Sequence, residues 1–149
     1  MKDVVTIQID GKDIEVDKHC ADMVLFFNEI GLETRMCCQG NEKPIFRIWF
    51  KTSGEIDNKV EEFIKKTAQW TEIFIRSDEN KFEDYRGVRG LHGWMYKRCW
   101  YPKGEYKREE WVYQSEGATN EEAINNAKYD LLCMKAMYFG TNLEEIQKS

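Results

Sequence analysis

Hydrophobic and polar residues alternate in several short runs of the chain, and each such run predicts a half-buried β-strand. The first two runs cover residues 4–8 and 14–16, and the Asp10–Gly11 step between them is typical of a tight hairpin turn. Gly favours such a turn because it accepts a positive φ angle. A strongly aromatic run extends over Ile45–Lys51, and a shorter run covers residues 71–76. These runs predict a sheet built largely from strands that are neighbours in sequence.

Two later runs predict a second, longer hairpin. Residues 93–101 and 110–115 alternate in the same way, and the Pro-Lys-Gly sequence at 102–104 is typical of a turn. The segment before this hairpin, residues 77–92, shows neither strand nor helix periodicity. We interpret it as a long loop, and loops of this length in compact domains are usually functional or disordered.

Three segments carry apolar residues at helical spacing, and each predicts a helix with one buried face. Asp17 is expected to cap the first helix, and Thr119 with Glu122 forms a capping box for the third. Gly31 and Gly140 follow the first and third segments, where a left-handed residue commonly ends a helix. The predicted buried faces comprise Cys20, Met23, Val24, Phe27 and Ile30; Ile56, Val60, Phe63, Ile64 and Thr67; and Ile124, Ala127, Leu131, Met134 and Tyr138.

The order of these elements predicts an α+β fold. It is β-β-α-β-β-α-β-loop-β-β-α, and hairpin pairing favours a largely antiparallel sheet with the three helices on one face. The chain has 149 residues, which is an ordinary size for one domain, so we expect a single domain over residues 1–149.

The face of the sheet away from the helices is a candidate binding surface. In the run over Ile45–Lys51, Phe46, Ile48 and Phe50 share one face and are expected in the core. The opposite face mixes cations with aromatic rings, and such a large exposed apolar patch marks a ligand site or a subunit interface. We therefore also expect a homo-oligomer. The residues expected to contribute to this face are Arg47, Trp49, Trp94, Tyr96, Arg98, Trp100, Trp111 and Tyr113.

Charge and hydropathy exclude several classes of partner. The net charge is −5, so the chain lacks the general basic field that duplex nucleic acid requires. No apolar run approaches 18 residues, which argues against a membrane span. The first ten residues carry acids and lack a signal-peptide core, so we expect a cytoplasmic protein.

The cysteines and histidines do not form a metal-binding pattern. The five Cys include no C-x-x-C pair, and the two His stand apart, so we expect no metal, no cofactor and no disulfide. Cys38 could act as a nucleophile with His92 as its base. A packed thiol at the end of a strand is the simpler interpretation of Cys38, and we favour it.

Glycines spaced at threes mark residues 87–93. They do not lie between a strand and a helix, so they are not a dinucleotide-binding fingerprint. Their backbone could still form an anion-binding concavity, with Arg86 and Arg89 supplying charge. A loop with scattered cations is an equal alternative.

The first predicted helix is followed by Gly-Leu-Glu-Thr, a strand and Cys-Cys-Gln-Gly. This unit, about a quarter of the chain, resembles a group of small phage and prophage proteins of Gram-positive bacteria. Those proteins often have His soon after the Gly, where this chain has Asn41, so no metal or acid–base role is carried over. The resemblance implies a phage origin, a location in the host cytoplasm, and inhibition of host defence by binding a protein or sequestering a signalling nucleotide. The matching residues are Gly31, Thr34, Cys38, Gly40 and the strand from Ile45.

These observations favour a non-catalytic protein that binds a small anionic ligand such as a nucleotide. A protein-binding inhibitor that uses the aromatic face is the second hypothesis, and an enzyme that depends on Cys38 and His92 is the third. The residues expected to bind the ligand are Cys38, Gln39, Gly40, Asn41, Arg47, Trp49, Arg86, Arg89, His92, Trp94 and Arg98.

Overall fold

The structure is a computed structural model that describes residues 3–40, 43–67, 72–78, 83–89, 92–100 and 108–140; at 72–78, 83–89, 99, 100 and 108 it describes the backbone alone. The elements in chain order are β1 (Val4–Ile9), β2 (Lys12–Asp17), a 3₁₀ turn (Lys18–Cys20), α1 (Ala21–Glu29), β3 (Thr34–Cys38), β4 (Ile45–Phe50), α2 (Gly54–Lys66), β5 (Glu72–Asp78), β6 (Glu83–Arg89), β7 (Gly93–Trp100), β8 (Arg108–Glu116) and α3 (Asn120–Phe139).

The strands form two antiparallel sheets. β1 and β2 pair as a separate hairpin, and the other six strands form one sheet in the order β3-β4-β8-β7-β6-β5. The α+β class, the antiparallel pairing and the predicted order of elements are confirmed, with one addition. The structure has β6 inside residues 77–92, where we predicted a loop, and β6 pairs on one side with β5 and on the other with β7. Pairing with two neighbours stabilises a strand that shows no periodicity of its own.

The first hairpin has the predicted turn, but the helix that follows is not capped as predicted. Asp10 has φ 51° and Gly11 has φ 76°, which are the two positive angles of a primed turn. The prediction that Asp17 caps the first helix is wrong, because its side chain makes no capping bond. The Asp17 carboxylate instead accepts the backbone N–H of Gln39 at 3.1 Å. The Asp17 carboxylate thus accepts a backbone N–H that is distant in sequence, and not one from the first turn of the helix.

The helix ends agree with the sequence. Gly31 and Gly140 adopt φ angles of 87° and 67°, the left-handed conformation expected after a last turn. Ser53 and Thr119 accept backbone N–H groups of the first turns of α2 and α3, at 3.1 Å in both cases. No helix in the described part of the chain has both the length and the apolar character needed to cross a membrane.

The three helices pack on one face of the six-stranded sheet, against β3, β4, β7 and β8, and enclose the core. Phe46, Ile48 and Phe50 of β4 are buried there, as predicted. Trp111 and Tyr113 of β8 join the same core, because Tyr113 pairs with Ile48 in register. Their expected place on the opposite face is therefore wrong. Alternation along β8 was visible in the sequence, but which of its faces would meet the helices depended on the pairing with β4.

A half-buried ionic contact attaches α2 to the sheet. The Lys97 ammonium lies 3.3 Å from Asp57 of α2 and 2.9 Å from Glu109 of β8. Burial lowers the pKa of Lys97, but the hydrogen bond to Glu109 and the charge of Asp57 outweigh that effect and raise it overall. The ammonium therefore stays charged and holds the helix over the strands.

Asp130 of α3 connects that helix to two strands. Its buried carboxylate accepts the Tyr113 hydroxyl at 2.6 Å and the His92 backbone N–H at 3.1 Å. The Gly93 backbone N–H also donates to it. Burial, followed by the charge of Asp130, raises the pKa of Tyr113 well above its ordinary value, so the phenol remains a donor. Three donors thus compensate one buried carboxylate.

We predict that Gly93→Ala destabilises the fold. A Cβ at this position would lie 2.6 Å from the Gln114 carbonyl oxygen and 2.8 Å from the Asp130 carboxylate. Such overpacking costs roughly 1–3 kcal/mol. Gly54→Ala is the matched control, because a Cβ there meets nothing within 4 Å, and the change should be neutral or stabilising. Urea unfolding of both variants measures the difference, and equal stabilities would contradict the close packing at Gly93.

We predict that Asp130→Asn destabilises the protein by about 1–3 kcal/mol, because the amide nitrogen would face a donor. Burial raises the pKa of Asp130, and the bond from Tyr113 only partly opposes this. A raised folded-state pKa stabilises the fold fully below about pH 4, and this contribution is lost as pH rises through the folded value. The difference between native protein and variant should therefore be larger at pH 4 than at pH 7.

Urea unfolding at the two pH values tests this dependence. Asp22→Asn is the control, because Asp22 is an exposed acid on α1. A native-to-variant difference for Asp130→Asn that does not change with pH would show that the carboxyl titrates normally.

Candidate functional site

The face of the six-stranded sheet opposite the helices is the candidate site, and we call it the open face. Strand register places its side chains in rows that run across the strands. One row is Trp94, Gln114, Arg47 and Cys38; the next is Tyr96, Val112, Trp49 and Met36; and Arg98 with Glu110 starts a third. The helices share a core with the side chains of the opposite face. The predicted gathering of Cys38, Arg47, Trp49, Trp94 and Arg98 is thus present.

Two aromatic rings shield the centre of the open face. Val112 is fully buried although it lies on the side away from the helices. Its neighbours in register are Trp49 on one side and Tyr96 on the other, and both are half-buried. The two large side chains therefore shield Val112 while their outer surfaces remain exposed to solvent.

Gln114 holds the polar side chains around these rings. Its amide oxygen accepts the Arg47 Nε–H at 2.8 Å and the Tyr96 hydroxyl at 2.9 Å. Its amide nitrogen donates to Glu116 at 2.6 Å. The Arg47 guanidinium also lies over the Trp49 ring, 5.9 Å from the ring centroid. Arg47 is thus fixed in orientation, as a preorganised binding group must be.

A buried carboxylate, Glu110, links the open face to the edge strand. Glu110 is 2% exposed and lies 2.7 Å from Arg35 and 3.6 Å from Arg98. Arg35 reaches it because the β3–β4 register shifts between Thr34 and Met36. Sequence reasoning placed Arg98 on this face but missed Arg35 and Glu110, since register irregularities leave no signal in an alternating pattern.

The polar turn after β3, which we predicted to bind the ligand, makes contacts within the protein. The Gln39 side chain accepts the His19 backbone N–H at 3.0 Å, so it is directed toward the 3₁₀ turn. Gly40 has φ 94°, and a Cβ there would lie 2.9 Å from the Lys43 carbonyl oxygen, so glycine serves the chain's own packing. Asn41 lies outside the described residues.

Cys38 and His92, the hypothetical catalytic pair, do not lie close together. Cys38 ends β3 on the open face, whereas the His92 ring contacts Tyr129 of α3 on the helix side, with 5.0 Å between ring centroids. Three strand spacings of ~4.8 Å separate β3 from β7, so the two groups are ~14 Å apart across the sheet. A base must be within hydrogen-bond reach of its nucleophile, which this placement does not provide.

Arg86 and Arg89 lie in β6, where their backbones pair with Lys97 and Trp94 of β7. Their predicted place in a glycine-rich loop is wrong, because the backbone groups around them are engaged in the sheet. Their side chains, like that of Trp100, lie outside the described part of the protein.

The cysteines are thiols directed to different sides. Cys38 faces the open side, and Cys37 faces the core beside Cys20, as expected for adjacent strand residues. The hydrogen bond to Cys37, followed by burial, raises the pKa of Cys20 far above its ordinary value. None of the described cysteines, Cys20, Cys37, Cys38 and Cys133, forms a disulfide. Within the described ranges no three His, Cys, Asp or Glu are grouped to hold a metal ion.

No family model, curated protein or solved structure matches the chain. The open face presents guanidinium groups beside flat aromatic rings, a combination suited to an anion with a planar ring.

We predict that Arg35→Ala destabilises the protein by about 2 kcal/mol. The change removes the closest partner of a buried carboxylate, and the estimate lies below the usual cost of breaking a buried pair because Arg35 is 45% exposed. Lys51→Ala is the matched control, since the Lys51–Glu33 pair is exposed on both sides and should contribute less than about 1 kcal/mol. Thermal and urea unfolding would contradict the assignment if both variants lost the same stability.

Proposed function

We propose that the open face binds a small anionic ligand that carries a planar ring, such as a nucleotide, without catalysing a reaction. The observation that carries the proposal is the side-by-side placement of Arg47 and Trp49 on this face, with the guanidinium 5.9 Å from the ring centroid. The ring offers a stacking surface, and the guanidinium offers donors matched to phosphate oxygens.

Local charge supports an anion. The described ionic groups of the open face are three guanidinium groups, Arg35, Arg47 and Arg98, against two carboxylates, Glu110 and Glu116. Glu110 is enclosed by Arg35 and Arg98, so its charge is compensated within the face. A local surplus of cations on a chain with net charge −5 can attract an anion that the rest of the surface repels.

The dimensions of the face suit a single nucleotide. Four strands spaced ~4.8 Å apart give a width of ~14 Å, and two side chains on one strand face are ~7 Å apart. Trp94 and Trp49 lie in neighbouring rows, so a base stacked on either ring places its phosphate within reach of Arg47. The separation of Cys38 from His92 supports binding rather than covalent chemistry.

In the setting implied by the sequence resemblance, such a protein would act in the cytoplasm of a phage host. It would withdraw a nucleotide signal from a host defence system by binding the signal rather than degrading it. This role requires affinity and abundance but no catalytic group, which agrees with the residues on the open face.

Calorimetry with a panel of linear and cyclic nucleotides tests the proposal. We expect one class to bind native protein, and we expect Arg47→Ala and Trp49→Ala each to weaken binding about tenfold, since charge-assisted bonds and base stacking each contribute ~1–3 kcal/mol. Lys65→Ala, an exposed cation on α2, should bind like native protein.

Far-UV circular dichroism establishes that each variant is folded before its affinity is compared. The proposal fails if native protein binds none of the nucleotides, or if the two open-face variants bind as tightly as the Lys65 control.

Protein binding through the same face is the second candidate function. The row Tyr96, Val112, Trp49 and Met36 is apolar from end to end, and Met36 is 48% exposed at the sheet edge. Such a row could pair two copies of the chain or engage another protein. Light scattering at micromolar concentration separates the alternatives: a dimer that Trp49→Lys converts to monomer favours an interface, and a monomer that binds nucleotide favours the ligand face.

A further inference from the structure

A separate cleft of about 230 Å³ lies on the helix side of the sheet, between the 3₁₀ turn, the first turn of α1 and the middle of α3. Its floor is apolar, and each floor residue is at most 7% exposed: Met23, Phe46, Ala127 and Leu131. Its rim is polar and consists of Lys18, His19, Asp22 and Lys128. The cleft shares no residue with the open face.

Neither lysine on the rim, Lys18 nor Lys128, forms an ion pair within the part of the chain that the structure describes. Asp22 is the one carboxylate among the residues that line the cleft. The residues that line the cleft thus include two lysines and one acid, on a chain whose net charge is −5.

We propose that this cleft binds a small organic monoanion with an apolar body, namely an aliphatic or aromatic carboxylate. The floor removes the apolar body from water, and the two lysines bind the carboxylate at the mouth. A cleft of this size suits a short chain or a single ring, and because it shares no residue with the open face, the site is independent of the function proposed there.

Methionine-methyl NMR of the full chain with octanoate as the probe tests the site. Met23 lies in the floor, whereas Met36 and Met137 are 48% and 45% exposed elsewhere and report non-specific apolar binding. We expect octanoate to shift the Met23 methyl signal saturably and to leave Met36 and Met137 unchanged. Octan-1-ol, which lacks the charge, and inorganic phosphate, which lacks the apolar body, should each bind at least fivefold more weakly.

Charge variants separate specific recognition from simple hydrophobic uptake. Replacing both Lys18 and Lys128 with Ala should weaken octanoate binding about fivefold, because exposed charge interactions are individually weak. Asp22→Asn should strengthen binding about twofold, and Lys65→Ala should have no effect. The proposal is overturned if Met23 does not respond, if octan-1-ol binds as tightly as octanoate, or if the double variant binds like native protein.

Discussion

The arrangement of sheet and helices depends on the hydrogen bonds that the buried carboxylate of Asp130 accepts. The carboxylate joins α3 to the Tyr113 hydroxyl of β8 and to the backbone at the start of β7. Gly93 is necessary at this point because any side chain would enter the space that Asp130 and the Gln114 carbonyl occupy. The register of β7 against β8 and the height of α3 above the sheet are therefore set together.

That arrangement makes the two faces of the sheet chemically different. The helix side is packed with apolar side chains, and the Lys97 contact attaches α2 to it. On the other side, the residues that would face water shield one another: Trp49 and Tyr96 flank Val112, and Arg35 and Arg98 enclose Glu110. Because the side chains of this face cover only one another, aromatic and cationic groups remain partly exposed to solvent. Those groups are the basis for the proposed ligand site.

Local chemistry explains which features could be foreseen. The alternation in β4 correctly separated Phe46 from Arg47, because successive strand residues point to opposite sides whatever the partner. Gly31 and Gly140 ended their helices as expected, since the left-handed conformation is a property of single residues. Asp17 was misjudged for the opposite reason: its carboxylate accepts a backbone N–H 22 residues away in place of one nearby in sequence.

The sequence by itself determined the α+β class, the hairpins, the helix faces and the two-sidedness of β4, because all of these follow from periods and turn residues within short segments. Only the tertiary structure decided that Trp111 and Tyr113 face the core, that residues 83–89 form a strand, and that His92 lies on the other side of the sheet from Cys38. It also brought Arg35 to Glu110, 75 residues apart. Pairing partners and register are chosen by long-range contacts, and a period of two leaves open which face of a strand meets the helices.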